Sequence, residues 1–271
     1  MSSICFSAAT LQRSLVRAFF IVALVALLTA CGTGGPGRLK IDRSVQAESQ
    51  NSRIEFIVLH YTSSGNEASL KTLSEHNVSS HYLITDEARP RLYQLVDEGR
   101  RAWHAGLSEW YGRTYMNSSS IGIEIVNSGL KANGWAAYNP AQIRILITLV
   151  DDIARRHGIK AINIVGHSDI APQRKIDPGP RFPWRELAAA GIGRWYDASV
   201  AAKYEAEFAQ SLPNIAWIQE ALSLAGYTVP QSGVLDPATI NVIAAFQMHY
   251  RPSLHDGLPD PETLAILKAL Y

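Results

Sequence analysis

The sequence predicts an α/β fold, a mixed central sheet flanked by helices, followed by a small C-terminal three-helix domain. Three observations carry that prediction. The runs Glu55-Phe56-Ile57-Val58-Leu59-His60, Ile121-Gly122-Ile123-Glu124-Ile125-Val126 and Ile162-Asn163-Ile164-Val165-Gly166-His167 are apolar and β-branched and read as buried strands. Between the second and third, Asn139 and Pro140 open an amphipathic helix with Ile143, Leu146, Ile147, Val150 and Ile153 on one face, and Gly158 stops it. From Leu212 onward the pattern changes to short helices that begin at Asp-Pro or Pro and end near Gly.

The chain opens with Arg13 and Arg17 ahead of the apolar run from Ala18 to Leu28, and no Asp or Glu precedes Asp42. This is the grammar of an export signal. Eleven apolar residues rise about 16 Å as a helix, against a hydrocarbon core of about 30 Å, so the run reads as a leader and not as a permanent span. It ends in Leu28-Thr29-Ala30-Cys31, which resembles the bacterial lipobox, whose cysteine is lipidated and becomes the new N-terminus. With Gly32 after the cysteine, the resemblance implies a lipid anchor in the outer membrane facing the periplasm, for a host with two membranes. The expected divisions are a signal peptide over 1–30, lipidated Cys31 and a Gly-rich tether over 31–51, an α/β domain over 52–195, a linker over 196–211 and a helical domain over 212–271.

The 271 residues carry 25 basic and 24 acidic side chains, a net charge of +1, and the balance becomes −1 without the two leader arginines. Such a surface does not call for nucleic acid. The other of the two cysteines, Cys5, lies in the leader, so a metal in the mature chain would rest on His, Asp or Glu. Weaker strand signals at His81 to Thr85 and Arg91 to Val96, and a short helix from Glu67 to His76, extend the α/β domain. The stretch after Trp195 is small and polar, without strong apolar period, and reads as a connector that is helical in part. In the last domain, helices are expected over Pro213 to Ala225, Pro237 to Tyr250 and Pro261 to Leu270, with Ile215, Ile218, Leu222, Ile240, Phe246, Leu264 and Leu267 as core. Gly233-Val234-Leu235-Asp236-Pro237-Ala238-Thr239 recurs 24 residues later as Gly257-Leu258-Pro259-Asp260-Pro261-Glu262-Thr263, two turn-and-helix units.

Hydrolytic zinc needs three N or O ligands held rigidly and one position left for water. His60 and His167 close two of the predicted strands, and Asp177 lies in the Pro/Gly-bounded turn Arg174-Lys175-Ile176-Asp177-Pro178-Gly179, ten residues after His167. Each alone has an ordinary reading, a packing histidine or a turn-forming aspartate; the three together make a candidate metal centre. Glu124 alternates with Ile123 and Ile125 and so points away from the face they bury, as a general base would. Lys175 and Asp177, two apart, would send an ammonium and a ligand to one side.

The segments around His60, Glu124, His167 and Lys175-Ile176-Asp177, within about 52–185, resemble the second family of N-acetylmuramoyl-L-alanine amidases, which shares its fold with peptidoglycan recognition proteins and T7 lysozyme. The resemblance implies one zinc on His60, His167 and Asp177, with Glu124 as catalytic carboxylate and Lys175 as oxyanion partner. His104, in Ala102-Trp103-His104-Ala105-Gly106, resembles a cleft-lining segment, and Tyr61, Asn127 and Arg181 are further candidates for substrate contact. His76, His81, His157, His249 and His255 have no partner pattern and read as structural. The C-terminal helices resemble a peptidoglycan-binding module, although Ser232-Gly233 stands where many such modules have Asp-Gly. The expected function is hydrolysis of the bond between N-acetylmuramic acid and L-alanine in peptidoglycan or muropeptides, by a monomer. The competing readings are a non-catalytic recognition protein and a zinc peptidase cutting within the stem peptide.

Overall fold

The computed structural model describes residues 39–271, so the predicted leader and Cys31 lie outside the described residues. Among the described residues no helix is long and apolar enough to cross a membrane. The chain divides into Met1–Gln50 and Asn51–Tyr271. Residues 39–50 are exposed chain without helix or strand, and the second unit carries the regular structure.

In chain order that unit contains β1 (Phe56–Tyr61), α1 (Asn66–Glu75), β2 (Tyr82–Ile84), β3 (Leu92–Gln94), the short pair β4 (Glu109–Trp110) and β5 (Arg113–Thr114), and β6 (Ser120–Ile125). There follow the hairpin β7 (Leu130–Lys131) and β8 (Gly134–Trp135), α2 (Pro140–His157), β9 (Ile164–Gly166), α3 (His167–Ile170), α4 (Trp184–Ala189), α5 (Ala198–Phe208), α6 (Ile215–Ala225), α7 (Pro237–Tyr250) and α8 (Pro261–Lys268). Five strands form one sheet in the order β3-β2-β6-β1-β9, with β2 and β3 antiparallel and the other pairs parallel.

Alternation gives the sheet two different faces. Ile57, Leu59, Ile121, Ile123 and Ile125 pack on one side with Ile143, Leu146, Val150 and Ile153 of α2. Phe56, Val58 and Val165 face the other side, where the C-terminal helices cover them. α2 forms where expected: Asn139 caps it by accepting from the Ala141 amide at 2.9 Å, and Gly158 ends it in the left-handed region at φ 69°.

One expectation changes, and the connector gains its helix. His167 is the first residue of α3 and not the last of a strand, because Asp169 accepts from the Gly166 amide at 2.7 Å and the Ser168 amide donates to the Asp177 carbonyl at 2.7 Å, turning the chain at Gly166. The 196–211 stretch contains α5, capped by Asp197, which buries Ala201 and Phe208 among the C-terminal helices.

Those helices show why the seven-residue echo exists. Gln219 of α6 accepts from the Gly233 amide at 2.8 Å and donates to the Val234 carbonyl at 3.0 Å and Thr239 Oγ1 at 2.9 Å. Gln247 of α7 repeats the set on Gly257, Leu258 and Thr263, at 2.8, 3.0 and 3.2 Å. Each echoed turn is latched by one buried glutamine. Gly257 is required there: its φ is +76°, and a Cβ would lie 2.5 Å from the Ile240 carbonyl oxygen.

Candidate active site

Parallel pairing of β1 with β6 sets His60 opposite Glu124, so both side chains leave the sheet on the same face. α3 starts at the end of the neighbouring β9 and presents His167, and the bond from the Ser168 amide brings the loop back so that Asp177 reaches both histidines. His60 Nδ1 lies 2.9 Å from His167 Nδ1, and Asp177 Oδ2 lies 3.1 Å from each. All three residues are buried, at 1, 3 and 8% exposure. They are the candidate metal-binding group among the described residues.

The donor set fits a metal ion. His167 Nε2 is 3.1 Å from the Ala105 carbonyl oxygen, which only accepts, so Nε2 carries the proton and the Nδ1 lone pair points at Asp177. Two acceptor atoms 3.1 Å apart with a third beside them are repulsive, and at most one proton, on His60 Nδ1, could sit among them. A divalent cation answers all three. Burial, followed by the charge of His167, lowers the His60 pKa to about 4, the direction a neutral ligand needs. Burial alone would raise Asp177; the two imidazoles outweigh it and hold that carboxyl below its ordinary range.

The group opens onto a cleft of roughly 600 Å³ lined by Tyr61, Trp103, His104, Glu124, Lys175 and Ile176 among others. Glu124 is pushed up to about 8, by burial first and then by the Asp177 charge, with Lys175 opposing. Its Oε2 is buried without a hydrogen-bond partner. A half-buried carboxyl whose inward oxygen has no partner is costly to the fold and suited to handling a proton. Lys175 is half-buried on the same wall, near enough to bear on both His60 and Glu124.

Of the other predicted residues, Tyr61 and His104 line the cleft. Tyr61 also meets the edge of Trp135, ring centroids 6.4 Å apart. His104 contacts His60 Nε2 at 3.0 Å and is held neutral by burial and by His60, His81 and His167. Asn127 lies beside the cleft, in an adjoining pocket that shares Ser63 and Ser64 with it, and its amide accepts from the Gly129 N–H at 2.7 Å and donates to the Ala137 carbonyl at 3.0 Å, bracing the β7–β8 hairpin. Arg181 is exposed and outside the cleft lining, because the chain has turned away after Gly179.

Two supporting residues escape the sequence pattern. Arg174 donates to the carbonyls of Ala105 and Leu107, the latter at 2.7 Å, and pins that loop over His167. Asp169, itself buried, accepts from Tyr227 Oη at 2.7 Å and from His249 Nδ1 at 2.8 Å, so the C-terminal helices grip the helix that carries His167. Nothing local flags Arg174; the Asp169 partners lie 58 and 80 residues away.

A mixed sheet carrying two imidazoles, a carboxylate, a free buried carboxyl and a lysine around one cleft defines a hydrolase with a candidate metal centre. Residues 50–180 match the N-acetylmuramoyl-L-alanine amidase family, and residues 211–267 match a peptidoglycan binding domain. The chain is 44% identical over 269 residues to the N-acetylmuramoyl-L-alanine amidase AmiD of Escherichia coli K12, covering 94% of this chain and 97% of that protein. It superposes with a TM-score of 0.76 on E. coli AmiD in complex with anhydro-N-acetylmuramic acid-L-Ala-D-gamma-Glu-L-Lys, at 44% identity over 85% of this chain and 93% of that one. AmpDh3 of Pseudomonas aeruginosa with an anhydromuramic pentapeptide matches at TM-score 0.81 and 41% identity, covering 86% and 98%. The chain therefore belongs to the N-acetylmuramoyl-L-alanine amidase family, and its likeness to AmiD runs through the catalytic domain and the C-terminal helices.

Proposed function

We propose that this amidase works with one zinc ion held by His60, His167 and Asp177 and cleaves the amide between the lactyl carbonyl of N-acetylmuramic acid and L-alanine. The observation that carries the reading is the convergence of three acceptor atoms beside the unpartnered Glu124 Oε2 at the floor of the cleft. Zinc bound there supplies Lewis acidity, lowering the pKa of a water to about 7 and polarising the scissile carbonyl. Glu124 takes a proton from the attacking water and delivers one to the leaving amine, which its raised pKa suits. The Lys175 ammonium faces the negative charge that develops on the carbonyl oxygen. The water oxygen ends on the lactyl carboxylate and the proton on the free amino group of L-alanine. Both relatives solved with anhydromuramic peptides support a muropeptide or peptidoglycan substrate.

The leader and Cys31 support lipid anchoring, at the outer membrane in a host with two membranes, with the enzyme facing the periplasmic wall. Labelling with a palmitate analogue tests this: incorporation is expected, and its persistence in Cys31→Ala would remove the anchor. The catalytic reading is tested by mass analysis of products from peptidoglycan and from an anhydromuramyl tripeptide. Chelator-sensitive release of peptides with a free L-alanine terminus, lost in Glu124→Ala, is expected. Wall binding by zinc-loaded protein without release would favour a recognition protein, and fragments cut inside the peptide would favour a peptidase.

A further inference from the structure

Resting on the zinc reading, we propose that His104 and Ser120 are positioning residues that fix the tautomer of the ligand His60 through a one-way hydrogen-bond relay ending on the Met116 carbonyl. The relay is short and lies half-buried behind the cleft wall. His60 Nε2 lies 3.0 Å from His104 Nδ1, His104 Nε2 lies 3.2 Å from Ser120 Oγ, and Ser120 Oγ lies 2.6 Å from the Met116 carbonyl oxygen.

Its direction follows from its far end. The Met116 carbonyl only accepts, so the single Ser120 hydroxyl proton goes to it, and Ser120 Oγ must accept from the other side. His104 Nε2 is then the donor, and His104 Nδ1, without a proton in the neutral ring, accepts from His60. That places the His60 proton on Nε2 and leaves Nδ1, the atom facing His167 and Asp177, with its lone pair free. The one proton that could have sat among the three acceptors is thereby moved to the opposite side of the ring.

The neighbouring His81 does not compete for these protons. Its Nδ1 accepts from the Gly122 amide at 3.0 Å and its Nε2 donates to the Arg100 carbonyl at 3.1 Å, so the backbone occupies both nitrogens. The placement of His104 is also built in, because a Cβ at position 122 would lie 2.4 Å from its ring, and β6 has glycine there. A metal-ligating imidazole held by a hydrogen bond from its other nitrogen is a general device, and losing such a partner typically costs 10- to 100-fold in metal affinity. Here the partner is a second histidine whose own tautomer is dictated by a serine and a backbone carbonyl.

The test uses the purified full chain as wild type, His104→Leu, His104→Gln and Ser120→Ala, and reads two quantities that do not depend on turnover. The first is zinc affinity by chelator competition. About 10- to 100-fold weaker binding is expected for His104→Leu. Binding within a few-fold of wild type is expected for His104→Gln, whose amide accepts from His60 and donates to Ser120. The second is histidine ¹⁵N chemical shift in metal-free protein, expected to show His60 and His104 both protonated on Nε2, with a mixed population at His104 in Ser120→Ala. Wild-type affinity in His104→Leu, equal losses in the Leu and Gln variants, or an Nδ1-protonated His60 would each overturn the relay. Should His104→Leu not fold, the Gln variant and the shifts still decide. Absence of zinc binding by the wild type would instead sink the metal reading and leave the ¹⁵N result standing on its own.

Discussion

The glutamine latches of the C-terminal helices and the floor of the cleft hold buried polar side chains in opposite states. In the C-terminal helices, Gln219 and Gln247 have a partner for the amide oxygen and for the amide nitrogen, and each latches a turn onto the helix that supplies it. At the cleft, His60, His167 and Asp177 point acceptor atoms at one another, and Glu124 keeps an oxygen with no partner. A satisfied buried polar group specifies structure, whereas one left unsatisfied is costly and open to a ligand or a reaction. Single unpartnered atoms also occur at Ser119, His249 and Arg251, but at the cleft such groups converge, and the convergence marks the residues placed to act.

Breaking the unsatisfied set is expected to give the largest effect, on activity and not on folding. Glu124→Gln should lower kcat by about 10²- to 10⁴-fold. The melting temperature should hold or rise, since a buried carboxyl without a full set of partners is replaced by a neutral amide. A parallel fall in stability would mean that Glu124 is structural. Breaking a latch should do the reverse. Gln247→Leu leaves the Gly257 amide, the Leu258 carbonyl and the Thr263 hydroxyl without that partner, at an expected cost of about 2–4 kcal/mol in denaturant unfolding. Specific activity of the folded fraction should stay within about 2-fold of wild type, and a larger loss would show that the module takes a direct part in turnover.

The same distinction governs what could be read from sequence. Alternation within β1 and β6, the Asn139-Pro140 cap and the Gly158 stop are local signals, and the elements they mark lie within a residue or two of their expected ends. The types of His60, His167 and Asp177, two histidines that follow apolar runs and an aspartate in a Pro/Gly turn, are also visible locally, and the fold brings the three together. Asn127-Ser128-Gly129 is also a turn sequence, in which the Asn side chain caps its own backbone two residues on, as the Gly129 bond shows. The connector over 196–211 shows only a weak helical signal because the burial of α5 rests on Ala201 and Phe208, with no apolar stripe. The His60, His104 and Ser120 relay joins three segments, and the grip of Tyr227 and His249 on Asp169 joins distant ones, so neither leaves a periodic trace.

A milder perturbation tests the electrostatics of the unsatisfied set. In metal-free protein, Glu124 should titrate at about 8, the value set by burial and the Asp177 charge. Zinc bound at His60, His167 and Asp177 would place positive charge there and should move that titration downward, so that Glu124 is expected to be ionised at neutral pH only with the metal bound. Carboxyl ¹³C shifts followed against pH with and without zinc would show it, and an upward or absent change would mean that Glu124 is not electrostatically coupled to the metal centre.

The smallest effect is expected at a satisfied cluster near the surface, where Glu98 accepts from Arg156 at 2.6 and 2.8 Å and lies 2.9 Å from His157 Nε2. The Arg156 hydrogen bonds, followed by those of His157 and Tyr82, outweigh the burial that opposes them and lower Glu98 from 4.5 to about 2. A carboxyl depressed in the folded state stabilises the fold fully above its unfolded pKa and loses that contribution as pH falls through the folded value. Wild type should therefore exceed Glu98→Gln by about 1 kcal/mol at pH 7, a figure kept small because Arg156 is partly exposed. The gap should close between about pH 4.5 and 2, where the two side chains become alike in charge. A gap independent of pH would assign the stabilisation to the packing of Glu98 and not to its charge, and would place this cluster with the neutral glutamine latches.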